Sequence, residues 1–233
     1  MRAAILIDGG FFLKRHHRAR GAQPPAEAAK DLYTMCFRHL APSKAPNQTY
    51  QQNSGERSQL YRILYYDCPP LMHKAHYPVS KNPIDYAKTP VAKWRLEFHE
   101  QLRKKRKIAL RLGYINERSG RWILKKDAQR RLLAGEVVIA DLNDDDFVFD
   151  VRQKGVDMRI GIDIASIAYK RQADQIVLIA GDSDFVPAAK LARREGIDFV
   201  LDPMWANIRA DLHEHIDGLR SVIPRPGADP ISQ

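Results

Sequence analysis

The chain has 233 residues, 44% of them hydrophobic, and 38 basic against 28 acidic residues give it a net charge of +10. That length suits one α/β domain with insertions; no apolar run approaches a membrane span, and the run Ala3 to Ile7 stops at Asp8 without the shape of a signal peptide. Two cysteines, Cys36 and Cys68, give no disulfide framework and fit a reducing cytoplasmic setting, while the positive surplus favours a polyanionic partner such as nucleic acid.

In chain order, Arg2 to Ile7 predicts a short strand, closed by Asp8, Gly9 and Gly10 in a tight turn. Phe11 to Arg20 has helical spacing and carries Lys14, Arg15, Arg18 and Arg20. The glycine pair matches neither GxGxxG nor the Walker pattern, so no nucleotide cradle is predicted. Asp8 suits two roles, a helix cap or turn acid and a site acid at a strand end. Pro24 and Pro25 open a helix over Ala26 to Leu40, with Ala29, Leu32, Tyr33, Cys36, Phe37 and Leu40 on one face. Ala41 to Ser58 reads as an exposed loop, and Leu60 to Tyr66 as the second strand. Asp67 ends that strand before Pro69 and Pro70, as a turn acid or a second-rank site acid.

Cys68, His73 and His76 have no zinc-site spacing and no fourth ligand beside them, so zinc is not predicted. Tyr77 to Pro90 reads as a proline-rich loop. Val91 to Lys107 reads as an amphipathic helix with Val91, Trp94, Phe98 and Leu102 on its apolar face. It ends in Arg103, Lys104, Lys105, Arg106 and Lys107, a run that suits either a solvated helix end or a phosphate-contact patch. Arg111 to Asn116 predicts a third strand, and Arg121 to Lys125 another after a turn at Ser119-Gly120. Asp127 to Ala134 predicts a short helix, Val137 to Ala140 an apolar piece, Asp141 to Asp146 a solvated loop without EF-hand spacing, and Phe147 to Arg152 a strand.

Lys154-Gly155-Val156-Asp157 opens a helix with Val156, Ile160, Ile164 and Ile167 on one face. Asp157 falls in its first turn, where the helix dipole also favours a carboxylate. Asp163 lies about 240° further round, so it shares no face with Asp157 and ranks second as a site acid. Ile176 to Ala180 is an unbroken apolar or small run that Gly181 breaks, followed by Asp182 and Asp184. This is the pattern of a buried parallel strand, a turn, and a helix to Arg194 capped by Ser183, with Gly196 beyond its end. Ile197 to Leu201 predicts a strand, and Ile208, Leu212, Ile216 and Leu219 the stripe of a last helix. The organisation expected is one domain over 1–223 with insertions near 41–58 and 116–147, and an unstructured tail over 224–233.

Strands alternating with helices predict a Rossmann-like α/β fold, a mostly parallel sheet with helices on both faces. If the strands ending at Asp8 and before Asp182 are neighbours, Asp8, Asp182 and Asp184 converge at the switch point, with Asp157 joining them. Clustered carboxylates do not all stay ionised without a cation, and all-oxygen ligands favour Mg²⁺ or Mn²⁺. Such an ion activates a water and steadies an in-line displacement at a phosphodiester. Lys14, Arg15, Arg18, the run Arg103 to Lys107, and Lys154 are the residues expected to hold the flanking strand. Phosphate contacts do not separate RNA from single-stranded DNA.

Ile5-Leu6-Ile7-Asp8-Gly9, Lys154-Gly155-Val156-Asp157 and Ala180-Gly181-Asp182-Ser183-Asp184-Phe185, in that order, resemble the NYN domain, in the LabA-like branch of the PIN-like nucleases. The likeness runs from about residue 3 to about residue 219. It implies a PIN-like sheet and an Mg²⁺-dependent ribonuclease whose metal-binding acids are Asp8, Asp157, Asp182 and Asp184. The family often carries Asn after the first Gly, where this chain has Gly10. Two other readings stand beside it. One is a catalytically silent RNA-binding or regulatory module of the same fold. The other is a haloacid-dehalogenase-like phosphatase, which needs a second Asp where this chain has Gly10. The sequence leaves open which RNA is cut, whether cutting is endo or exo, and whether the chain forms a homodimer.

Overall fold

A computed structural model describes residues 1–42 and 57–225. The loop expected over 41–58 and the tail expected over 224–233 therefore fall largely outside the described residues. By its contacts the chain divides into two compact units, one of Met1–Asp67, Glu97–Gly113 and Gly155–Gln233, the other of Cys68–Leu96 and Tyr114–Lys154.

The first unit is a mixed α/β fold, Rossmann- or PIN-like, on a parallel sheet. In chain order it carries β1 (Arg2–Asp8), α1 (Gly9–Arg20), α2 (Pro25–His39) and β2 (Gln59–Asp67). The chain returns to it through the last half of α3 (Pro90–Arg103) and β5 (Ile108–Leu112). It then adds α5 (Val156–Tyr169), β8 (Gln175–Ile179), α6 (Val186–Arg194), β9 (Asp198–Asp202), α7 (Ala210–Glu214) and β10 (Gly218–Leu219). The second unit holds β3 (Lys74–His76), β4 (Pro83–Asp85), β6 (Tyr114–Leu124), α4 (Lys126–Leu133) and β7 (Phe147–Lys154), along with the first half of α3.

The sheet runs β10-β9-β8-β1-β2-β5 with every pair parallel. From β1 the chain builds outward through β2 and β5, then returns to build the other side through β8, β9 and β10. The junction of β1 with β8 is therefore the switch point of the sheet. The register sets Ile7 opposite Ile179 and Asp8 opposite Tyr66. The five residues of β8 are all buried, as expected of a strand covered on both faces. One face buries Leu6, Leu64, Leu178 and Leu201 with Ile160, Ile164 and Ile167 of α5 and with Ala189 and Ala192 of α6. On the other, the Tyr65 ring meets Phe98 of α3 edge-on at 5.7 Å.

The second unit pairs β3 with β4 and β6 with β7, both antiparallel. Phe149 of β7 is its hub, stacking on His73 at 5.7 Å and Tyr86 at 5.6 Å and meeting Trp122 edge-on at 5.2 Å.

Several expectations need correction. The last helix shrinks to Ala210–Glu214, because Gly218 and Leu219 pair with Val200 and Leu201 as a strand. Ile208, Ile216 and Leu219 still pack on the core, so the apolar spacing reports burial without a continuous helix. The segment Arg111 to Asn116 is two strands, β5 and β6, in different sheets. No turn interrupts β6 at Ser119-Gly120; a Cβ on Gly120 would lie 2.6 Å from the Phe149 ring, so this glycine serves a close approach. Tyr77 to Pro90 contains β4, paired back on β3, and is not a plain loop. Helix α3 stops at Arg103, and Val91 on its expected apolar face is exposed. In the apolar piece Val137 to Ala140, Val138 and Ile139 are exposed. Asp141 to Asp146 holds two 3-10 turns, within which Asp146 is buried against Arg131 at 2.5 Å.

Candidate functional site

Asp8 ends β1 and caps α1, its Oδ1 accepting from the Phe11 N–H at 3.1 Å. Of the two roles open to it in the sequence, this contact is the helix cap. Gly9 follows because no side chain fits there: a Cβ would lie 2.5 Å from the Tyr65 hydroxyl and 2.6 Å from the Tyr66 carbonyl. Phe11 turns its ring onto Gly181, where a Cβ would come within 2.5 Å of it. The loop after β8 is therefore pressed onto the start of α1, at the switch point. In that loop Asp182, not Ser183, supplies the cap, accepting from the Asp184 N–H at 3.1 Å, and a 3-10 turn Ser183–Phe185 precedes α6. Asp157 lies in the first turn of α5, after Gly155 at φ 81°, a backbone angle that suits glycine.

The charges of these acids reach one another. Burial pushes the Asp8 carboxyl above its ordinary range against the Phe11 N–H, and the charges of Asp157 and Asp67 push it further. Asp157 is also raised, first by burial and then by Asp182 and Asp184. Among the described residues, none of Asp8, Asp157, Asp182 and Asp184 forms an ion pair with a basic side chain.

The second-rank acids have other attachments. Asp67 is 1% exposed; it accepts from the Tyr65 hydroxyl at 3.4 Å and lies 2.9 Å from His99 Nε2. Asp163 accepts from the Tyr66 hydroxyl at 2.8 Å and from Arg111 Nε at 3.1 Å. Burial, then the Asp163 charge, keeps the Tyr66 phenol protonated well above its usual range. Sequence reading missed His99, Tyr66 and Arg111 as partners of these acids. His99 carries no local mark, since its acid lies 32 residues away.

The basic residues divide by position. Lys14, Arg15 and Arg18 lie on α1, which begins at Asp8, and Lys14 and Arg18 are exposed. The run Arg103 to Lys107 instead precedes β5, at the amino edge of a parallel sheet whose carboxyl edge carries the acids. Lys107 is one residue before the Ile108–Ile63 pair, and Asp8 is opposite Tyr66, so strand rise alone separates their levels by about 13 Å. Part of the run is committed to structure: Lys105 lies over the Tyr33 ring at 5.9 Å, Lys107 donates to the Leu60 carbonyl, and Arg103 pairs with Glu100. Lys154 is exposed at the end of β7, in the second unit.

Among the described residues, no three His, Cys, Asp or Glu side chains are grouped closely enough to hold a metal ion between them. The NYN domain matches residues 84–212, which is more than half of the chain. The chain belongs to the NYN domain family. The NYN match takes in Asp157, Asp182 and Asp184 and leaves Asp8 outside it. No curated protein matches. A crystal structure of a protein of unknown function from Vibrio parahaemolyticus RIMD 2210633 is similar at a TM-score of 0.45 and 14% identity, over 95% of this chain and 93% of that one. Among the described residues of this NYN protein no helix is long and apolar enough to cross a membrane.

Proposed function

We propose that this chain is a divalent-metal-dependent ribonuclease of the LabA-like branch of the NYN family. The observation that carries the reading is the set of four acids around the switch point, Asp8, Asp157, Asp182 and Asp184, without a basic partner among the described residues. Buried or clustered carboxylates that mutually raise their proton affinity are costly unless a cation meets them. The donor set fits Mg²⁺ or Mn²⁺, which prefer oxygen ligands.

Asp8, Asp157, Asp182 and Asp184 would hold the ion. When bound, such an ion lowers the pKa of a water to make a nucleophile and offsets charge at the phosphodiester. The chain supplies the rest. Backbone N–H groups of Phe11 and Asp184 fix the orientation of the Asp8 and Asp182 carboxylates. Asp157, at the first turn of α5, would accept the proton of the attacking water at a carboxylate oxygen. Lys14, Arg15 and Arg18 of α1 hold backbone phosphates on the carboxyl side of the sheet; Lys154, an exposed cation of the second unit, is a phosphate contact proposed by itself. RNA is the proposed substrate; single-stranded DNA offers the same phosphates.

The test is cleavage of labelled single-stranded RNA, structured RNA and single-stranded DNA in Mg²⁺, Mn²⁺ or EDTA, beside Asp182→Asn. Metal-dependent cutting that the variant loses supports the nuclease. Cutting that persists in the variant contradicts the site. The wide spacing of the acids favours one second reading, a binding module without turnover. On that reading wild type and Asp182→Asn bind RNA alike, or the variant binds more tightly for losing a repulsive charge, and neither cuts.

A further inference from the structure

Beyond the end of β9 the backbone makes an unusual turn. Met204 and Trp205, consecutive and neither of them glycine, stand at φ 45° and 62°, in the left-handed region. Such conformations persist only where the surroundings hold them, and they gather at ligand sites. Here the hold is explicit. Asp202 Oδ1 accepts from the Met204 N–H at 2.7 Å and from the Ser221 hydroxyl at 2.9 Å, while Asp202 Oδ2 lies 2.8 Å from buried His39. The Trp205 indole donates to the Ile223 carbonyl at 2.7 Å, and Arg15 of α1 forks onto the Met204 carbonyl at 2.6 and 3.1 Å.

The product of this bracing is a tryptophan that stays 43% exposed. It lines a cleft of about 320 Å³ with Arg15, Arg18, Ala206, Asn207 and Arg225. Among the described residues no acid lines the cleft, and the Arg225 guanidinium lies 5.8 Å from the centre of the Trp205 ring. Arg18 has no partner among the described residues. An aromatic face beside several unneutralised guanidinium groups is the combination by which proteins take single-stranded nucleic acid, the ring stacking a base and the cations meeting phosphates. The cleft also lies on the acids' edge of the sheet. Asp202 is level with Ile179 and so with Ile7, two strands from β1, which is about 10 Å.

We propose that this cleft is a nucleotide subsite for a single strand, in which Trp205 stacks a base and Arg18 and Arg225 hold the neighbouring phosphates. The proposal rests on the nuclease reading for its setting and adds a base-stacking contact that fixes where the strand runs from the acids. Its test avoids cleavage altogether. Fluorescence anisotropy of a labelled single-stranded RNA decamer in EDTA compares wild type with Trp205→Ala, Trp205→Phe and Arg18→Ala. Trp205→Ala is expected to weaken binding about tenfold and Trp205→Phe less than about threefold, as for one stacked base. Arg18→Ala is expected to weaken binding and lower the slope of log affinity on log salt by about 0.7.

Because the Trp205 indole also bonds the backbone, the wild-type protein carries a second measurement: photocrosslinking to a 4-thiouridine-substituted decamer, with the crosslinked peptide identified by mass spectrometry. Crosslinks on Trp205 or its flanking residues support the subsite. Crosslinks elsewhere, with Arg18→Ala binding as wild type, overturn it. Free uridine and adenosine monophosphate form the last arm; if either displaces the decamer at equal concentration, the cleft is a mononucleotide site and the strand assignment fails. The two readings fail separately. Loss of the nuclease reading is absence of metal-dependent cutting with this binding pattern intact, and loss of the subsite is intact cutting with Trp205→Ala binding as wild type.

Discussion

At the scale of single residues, the proposed site consists of carboxylates whose charges act on other carboxylates. Asp8 has its proton affinity raised by burial and then by the charges of Asp157 and Asp67, and Asp157 by burial and then by Asp182 and Asp184, so the folded chain binds protons there more readily than the unfolded chain does. With more protons on the native state, stability falls as pH rises from the unfolded carboxylate range, near 3.9, through the raised folded values. Removing one of these charges therefore stabilises the metal-free protein. Asp157→Asn is expected to melt at a higher temperature than wild type in EDTA at neutral pH, with a gap that opens as pH rises from the unfolded carboxylate range and then levels off; a variant that melts lower than wild type at neutral pH contradicts this. Asp8, Asp157 and Asp182 were readable in the sequence because each sits at a strand end or helix start that local pattern marks. The attachments of Asp67 and Asp163 were not, since His99 and Arg111 approach from distant segments. Truncating His99 to Ala leaves Asp67 buried beside a lost partner, and a cost of about 3 kcal/mol in urea denaturation is expected.

At the scale of elements, the site depends on close approach at glycines. Gly9→Ala drives a methyl into the Tyr65 hydroxyl and the Tyr66 carbonyl, and the expected loss is about 1–3 kcal/mol, read as a lower urea midpoint with unchanged slope. A midpoint equal to wild type would mean that α1 is not pressed on β2. The glycine pair was legible as a turn, but its packing reason was not, because the tyrosines it meets lie more than fifty residues on. Where the family often has Asn, this chain has Gly10, and the next residue, Phe11, spends its side chain on Gly181. Strands β1, β2 and β8 and helices α1, α2, α5 and α6 follow the predicted pattern within a few residues, since each carries a strong apolar period. The last helix and the β6 segment did not, because pairing with β9 in one case and with β7 in the other outweighed local spacing.

At the scale of the whole molecule, a net charge of +10 does not act uniformly. The longest basic run, Arg103 to Lys107, marks the amino edge of the sheet, while α1 begins at the carboxyl edge with the acids. No local pattern reveals that division, because it follows from the strand directions. Replacing Lys104 and Arg106 together by Ala is expected to change single-stranded RNA affinity less than about twofold. The pair Lys14→Ala and Arg18→Ala is expected to weaken it severalfold and flatten its salt dependence by about 1.4 in slope. The reverse ranking in anisotropy titrations would place the strand on the other edge.

Isothermal titration of Mn²⁺ into the metal-free protein, beside Asp157→Asn and Lys104→Ala, tests whether the four acids form a metal centre. If Asp8, Asp157, Asp182 and Asp184 hold a divalent cation, wild type and Lys104→Ala give the same saturable binding and Asp157→Asn loses most of it. Equal binding by Asp157→Asn, or no binding by wild type, would contradict a metal centre at these acids.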